Sequence, residues 1–160
     1  MASVEVTRPG EGLQVDKMPG HWVLARLGKK VLRPGGLELT AALLQGLAVG
    51  RADRVVEFAP GLGVTARRTL AKQPVAYTAV ERDPAAASTV RRYLQGPSQQ
   101  LVQGTAEATG LPDGCATVVY GEALLTMQTP SGKQAIVAEA ARLLQPGGRY
   151  GLHEIALRDG

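Results

Sequence analysis

The chain has little of what several protein classes are built from. Among its 160 residues there is one cysteine, Cys115. It can form no disulfide within the chain and no cysteine-rich metal site. Aromatic residues make up 4%, so the core has to be packed from Ala, Val and Leu. No apolar run approaches the roughly 18 residues that a membrane-spanning helix needs. The first residues, "MASVEVTRPGEG", lack the apolar middle of a signal peptide. These absences make a reducing, cytoplasmic setting the expectation. No long Lys/Arg run interleaved with aromatics marks a nucleic-acid groove. The net charge is +4 and the pI about 9.5, but the basic pairs Lys29-Lys30, Arg67-Arg68 and Arg91-Arg92 read as solvated helix faces. Neither nucleic acid nor membrane is an expected partner.

What is present fits one globular domain. Hydrophobic residues are 44%, and 20 glycines with 10 prolines supply many turns. Residues 1–19 read as an irregular arm, and 19–30 as a short helix with apolar contacts from Trp22 and Leu24 or Leu27. Together, 1–36 form an N-terminal arm and short helix ahead of a domain over 37–160. The segment 37–49 carries a helical stripe of Leu39, Leu43, Leu44 and Leu47. After it the pattern alternates. Strands are expected at 53–58, 75–81, 99–104, 116–123 and 149–157, with helices at 63–73, 83–96 and 131–145 between them. The turn "PGG" ends the last helix. Strands alternating with helices of 10–15 residues mean right-handed βαβ units. The fold class is therefore α/β, a doubly wound Rossmann-like sheet of about five strands.

The stretch "VVEFAPGLG", 55–63, places a carboxylate, Glu57, inside an apolar strand and follows it with a loop almost free of side chains. In open α/β sheets ligands bind outside the carboxyl ends of the strands. Gly61 and Gly63 let a ligand approach the backbone, and the next helix offers its first N–H groups. "GLGVTA" also fits G-x-G-x-x-G/A, a pattern that by itself equally suits a plain tight turn. Glu81 ends the second strand, 18 positions beyond Gly63, where an acid can accept both hydroxyl hydrogens of a ribose. Glu57 would repel a pyrophosphate and attract an ammonium or sulfonium group. S-adenosylmethionine meets both conditions.

With these segments in order, the chain resembles the class I S-adenosylmethionine-dependent methyltransferases of the small-molecule kind, similar to methyltransferase type 11. The resemblance covers about 50–157. "VVEFAPGLG" is similar to the family's first motif, "YTAVERD" to its second, "GTAEATGLPDGCATVVYGEALL" to its third and fourth, and "EAARLLQPGGRYGLHE" to the segment that follows. It implies strand order 3-2-1-4-5, a methyl transfer from S-adenosylmethionine, and cofactor contacts at Glu57, Ala59, Pro60, Gly61, Gly63, Glu81, Arg82, Ala106, Glu107 and Gly121. Two positions depart from the family pattern: Ala59 replaces the first glycine, and Thr105 replaces an acid common after the third strand.

Candidates for touching the acceptor are His21, Tyr120, Glu122 and His153, each with a structural alternative, so no catalytic residue is assigned. Lys29, Lys30 and Arg33 lie where an acidic acceptor would be attracted, although surface solubility explains them as well. The acceptor is expected to be a small molecule. Two alternative readings stand: a Rossmann oxidoreductase binding NAD or FAD, and a non-catalytic nucleotide-binding module. The family sheet usually has seven strands, whereas five are expected here, with "RYGLHEIAL" left as a bare edge. Three remedies fit that edge: a chain lacking a C-terminal portion, which is favoured, an N-terminal arm folded over it, or a homo-oligomer formed through the fifth strand.

Overall fold

The computed structural model describes residues 14, 18, 20–29 and 32–156, with the side chain of His21 outside the described set. The arm proposed for 1–19 and the candidate Lys30 therefore lie almost wholly outside the described residues. The elements follow in the order α1 Gly20–Arg26, α2 Gly36–Gly46, β1 Arg54–Phe58, α3 Val64–Leu70, β2 Ala76–Glu81, α4 Pro84–Arg91, β3 Gln99–Gln103 and β4 Ala116–Glu122. A 3-10 turn at Leu125–Met127, α5 Pro130–Leu143 and β5 Leu144–His153 complete them. All strand pairs are parallel, in the order β3-β2-β1-β4-β5. The Rossmann-like expectation and its strand order hold.

Local chemistry sets the helix starts. Asp83 caps α4 by accepting from the Ala86 N–H at 2.8 Å, and Pro84 occupies the first helical turn, where its missing N–H costs nothing. Thr129 caps α5 by accepting from Gly132, with Pro130 placed in the same way.

Strand alternation then divides the core between the two faces of the sheet. Val55, Tyr77, Ala79, Val118 and Tyr120 pack with Leu44, Ala66 and Val90 from the α2, α3 and α4 side. Val56, Phe58, Val80 and Val119 pack with Ile136, Ala140 and Leu143 of α5 on the other side. Each fully buried Val, Leu, Ile or Phe contributes about 1.5–3 kcal/mol, so the small aliphatics carry the fold despite the scarcity of aromatics.

Three expectations need correction. Leu24 and Leu27 do not anchor α1; Leu27 is 76% exposed, while Trp22 is buried with Met18 and Ala86. Leu39 is 47% exposed, and the inward positions of α2 are Thr40 and Leu44. The fifth strand begins at Leu144 rather than at 149, because Pro146 to Gly148 bulge out of the ladder instead of ending it. Leu144 pairs with Ala116 and Arg149 with Val118, so the bulge lies between them. Gly147 supplies the positive φ of 78° that this bulge uses. β5 is the edge next to β4, and among the described residues its outer side carries no strand. Among the described residues no helix is long and apolar enough to cross a membrane.

Candidate functional site

The chain switches direction across the sheet between β1 and β4, so the crevice opens at their carboxyl ends. A cavity of about 470 Å³ lies there, within the usual ligand-pocket range of roughly 300–1,000 Å³. Ala59, Pro60, Gly61, Glu81, Arg82, Ala106 and Glu107, all expected at a cofactor site, line it, as does Thr105. Gly63 and Gly121 do not line it. Gly63 caps α3 in the left-handed region, and an added Cβ would lie 2.6 Å from the Tyr93 ring. Gly121 packs on Phe58 and Leu124.

The loop after β1 is bent by its backbone. Ala59 has φ 50°, Gly61 57° and Gly63 73°. A non-glycine residue in that region stores strain of about 1–2 kcal/mol, and at Ala59 a hydrogen bond to the Val80 carbonyl, 2.8 Å, offsets part of it. A Cβ on Gly61 would meet no protein atom within 4 Å, so the space beside this cavity-lining glycine is open. Glu81 fastens the same loop. One carboxylate oxygen accepts from the Gly61 N–H and the other from the Asp83 N–H, both at 2.9 Å. Burial pushes its pKa up, and those amide donors act against the shift. Each oxygen keeps a further lone pair that can accept from a ligand.

Glu57 is the main correction at the site. It is 3% exposed and does not line the cavity. Its carboxylate faces the α2–α3 side of the sheet, where it accepts hydrogen bonds from Tyr77 Oη at 2.5 Å and Tyr120 Oη at 2.6 Å. Burial raises its pKa to about 7, although both tyrosine hydroxyls pull the other way. The acid in the strand is therefore a polar pin in the core, and its contacts do not select between cationic and pyrophosphate ligands. Tyr120, spent on Glu57 and Thr69, is fully buried and lies away from the cavity as well.

A second polar cluster does reach the cavity, through Arg33 and Glu122. Glu122 ends β4. Its Oε2 accepts from Thr40 Oγ1 at 2.7 Å and pairs with Arg33 Nε at 2.8 Å; His153 Nδ1 of β5 lies 2.7 Å from the same oxygen. Oε1 accepts from Thr65 Oγ1 at 2.5 Å. Arg33 also donates through Nη2 to Thr40 and, at 2.8 Å, to Thr65. Burial pushes the Glu122 carboxyl up, but the hydrogen bonds from Thr65, His153 and Thr40, with the Arg33 charge, hold it below the ordinary carboxylate value. Of the proposed acceptor contacts, Glu122 is at the cavity and His153 stands behind it. Lys29 is exposed, and Arg33, expected as a lure for acids, is already paired.

Sequence reasoning missed this cluster and the apolar wall made by Trp22, Leu32, Leu124 and Met127. One signal was available. Thr40 sits four residues before Leu44 on the inward side of α2, and a buried hydroxyl there needs a polar partner.

Similarity to known proteins agrees with this geometry. A family described as "Methyltransferase domain" matches residues 55–148. The chain is 34% identical over 143 residues to an uncharacterised protein of Haemophilus influenzae, covering 86% of this chain and 57% of that one. It is 29% identical over 136 residues to an uncharacterised methyltransferase of Synechocystis, covering 84% of this chain and 63% of the relative. Its fold matches an S-adenosylmethionine-dependent methyltransferase of Mesorhizobium loti with TM-score 0.61 at 15% identity, over 72% of this chain and 51% of that one. The chain thus spans less than two thirds of the length of each.

Proposed function

The chain belongs to the class I methyltransferase family, and on that premise we propose that it binds S-adenosylmethionine in the cavity and passes a methyl group to a small-molecule acceptor. One observation carries the reading: a buried carboxylate, Glu81, stands in the cavity wall and holds a glycine loop that leaves room for a ligand.

The residues present fit such a ligand. Glu81 would take the ribose hydroxyls through its free lone pairs. The backbone of Ala59, Pro60 and Gly61 would lie against the amino-acid end. Arg82, Thr105, Ala106 and Glu107 would border the adenine. S-adenosylmethionine supplies a methyl on a sulfonium sulfur, an electrophile that needs no activation by the protein. The task left to the chain is to hold two partners in line, and well-oriented proximity can lower a barrier by about 7–11 kcal/mol. Trp22, Leu32 and Met127 give the cavity an apolar side that would exclude water from the reacting groups.

Calorimetric titration with S-adenosylmethionine and with NAD, side by side, tests the reading. Saturable heat with the first alone is expected. Heat with NAD alone would move the chain to the oxidoreductase reading.

A further inference from the structure

Five separate elements meet at Glu122: the Leu32–Arg33 segment before α2, then α2, α3, β4 and β5, through Arg33, Thr40, Thr65, Glu122 and His153. Glu122 is one of the acids in a position to deprotonate an acceptor, because it ends β4 and lines the cavity. We propose instead that Glu122 is a positioning residue, which anchors the Leu32–Arg33 segment as a wall of the cavity. The proposal rests on the methyl-transfer reading only for what the cavity holds.

The bonding pattern argues for an anchor. A general base needs a lone pair turned towards the proton it takes. Oε2 meets Thr40, Arg33 and His153 and has none to spare; Oε1 meets Thr65 and keeps one, on a carboxyl that the three partners of its other oxygen hold in place. The side chain is 6% exposed. The two threonines relay between the charges: each hydroxyl accepts from Arg33 and gives its own hydrogen to Glu122. Thr40 has one hydrogen, and its Glu122 contact at 2.7 Å is shorter than that to the Gly36 carbonyl at 3.1 Å. Such an arrangement fixes the guanidinium plane, because Nε and Nη2 are both bound.

Among the described residues, the segment that Arg33 belongs to has few other holds. Leu32 packs against the cluster of Met18, Trp22 and Ala86, and the Arg33 carbonyl accepts from Gly36 at 3.3 Å, within its own turn. The side chain of Arg33 is thus the polar tie from this segment to α3 and the sheet. Both Leu32 and Arg33 line the cavity, so releasing the tie would open that side to water.

Hydrogen exchange of the ligand-free protein tests the anchor without any ligand. Wild type, Glu122→Gln, Arg33→Met, the double variant and the milder Thr65→Val are compared. Within 32–36 the Gly36 amide, which donates to the Arg33 carbonyl, should exchange about tenfold faster or more in Glu122→Gln and Arg33→Met, less so in Thr65→Val, with β1 to β3 unchanged. The double variant should be no faster than either single one. Binding of S-adenosylhomocysteine should weaken by similar factors in the two singles, without adding in the double. Should Glu122→Gln fail to fold, Arg33→Met and Thr65→Val carry the same comparison. Unchanged exchange at 32–36 in the folded variants would overturn the anchor. So would a Glu122→Gln protein with wild-type ligand binding and KM but a kcat lower by a thousandfold, the mark of a lost base. Wild-type protein that binds no S-adenosylhomocysteine would refute the proposed function, while the exchange data would still judge the anchor.

Discussion

Replacing Glu57 by Gln should remove a pH dependence from the stability of the fold. The carboxyl lies fully inside the core and its pKa is raised from the ordinary 4.5 to about 7, chiefly by burial. Below pH 4.5 it is protonated in both folded and unfolded chains, and its contribution is fully present. Between 4.5 and 7 the unfolded chain releases the proton while the folded chain keeps it, so stability falls as pH rises. The loss is about 1.4 kcal/mol per pH unit in that window, or about 2.5 kcal/mol from pH 5 to pH 8. Gln has the same shape and cannot charge. Both tyrosine hydroxyls donate to the same oxygen, Oε2, so the Gln carbonyl placed there can accept from both. For a chain of this size about 2.5 kcal/mol corresponds to roughly 5–10 °C in Tm. Thermal unfolding of wild type and Glu57→Gln at pH 5 and pH 8 reads the effect. The variant should gain on wild type by about that amount between the two pH values. The difference between wild type and variant isolates Glu57: Glu81, whose pKa burial also raises, contributes equally to both, and the carboxylates with lowered pKa, such as Glu139, lose their contribution only as the pH falls below 4.5. Parallel Tm curves would refute a neutral acid in the core.

Two further outcomes follow from the loop. Glu81→Ala should weaken S-adenosylmethionine binding by about 1.5–3 kcal/mol, the value of hydrogen bonds to a charged group, in a protein that stays folded; unchanged calorimetric affinity would take Glu81 out of the site. Gly61→Val and Gly63→Ala should fail differently. A Cβ at Gly61 meets no protein atom within 4 Å, so Val there should abolish binding with the strain of a positive φ, about 1–2 kcal/mol, as the main cost to folding. At Gly63 a Cβ collides with Tyr93, so Ala there should lower the Tm beyond that strain. Equal Tm losses in the two variants would contradict the division between cradle and packing.

The architecture was legible because it rests on local and periodic signals. Strand alternation, Asp83-Pro84 at a helix start and the glycines after β1 each report on their own neighbourhood. In the cavity wall, Gly61 and Glu81 followed from their places after β1 and at the end of β2, while Ala59, Pro60, Arg82, Ala106 and Glu107 came from the family resemblance. Glu57 was misjudged because one strand position does not say which face of the sheet it takes. The partners that settle it, Tyr77 and Tyr120, stand 20 and 63 positions away. Arg33 was read as a surface charge for the same reason: its counter-ion lies 89 positions later, at Glu122. The bulge at Pro146 to Gly148 looked like a stop because Pro and Gly break regular ladders, yet an edge strand tolerates them.

The central claim is that the cavity at the carboxyl ends of β1, β2 and β3 holds S-adenosylmethionine. Hydrogen exchange of the wild-type chain with and without S-adenosylhomocysteine tests it most directly. Slowed exchange at the amides of 59–63, 81–83 and 104–107, with little change in α5, is the result expected. Slowed exchange confined to other parts of the sheet, or none at saturating ligand, would contradict it.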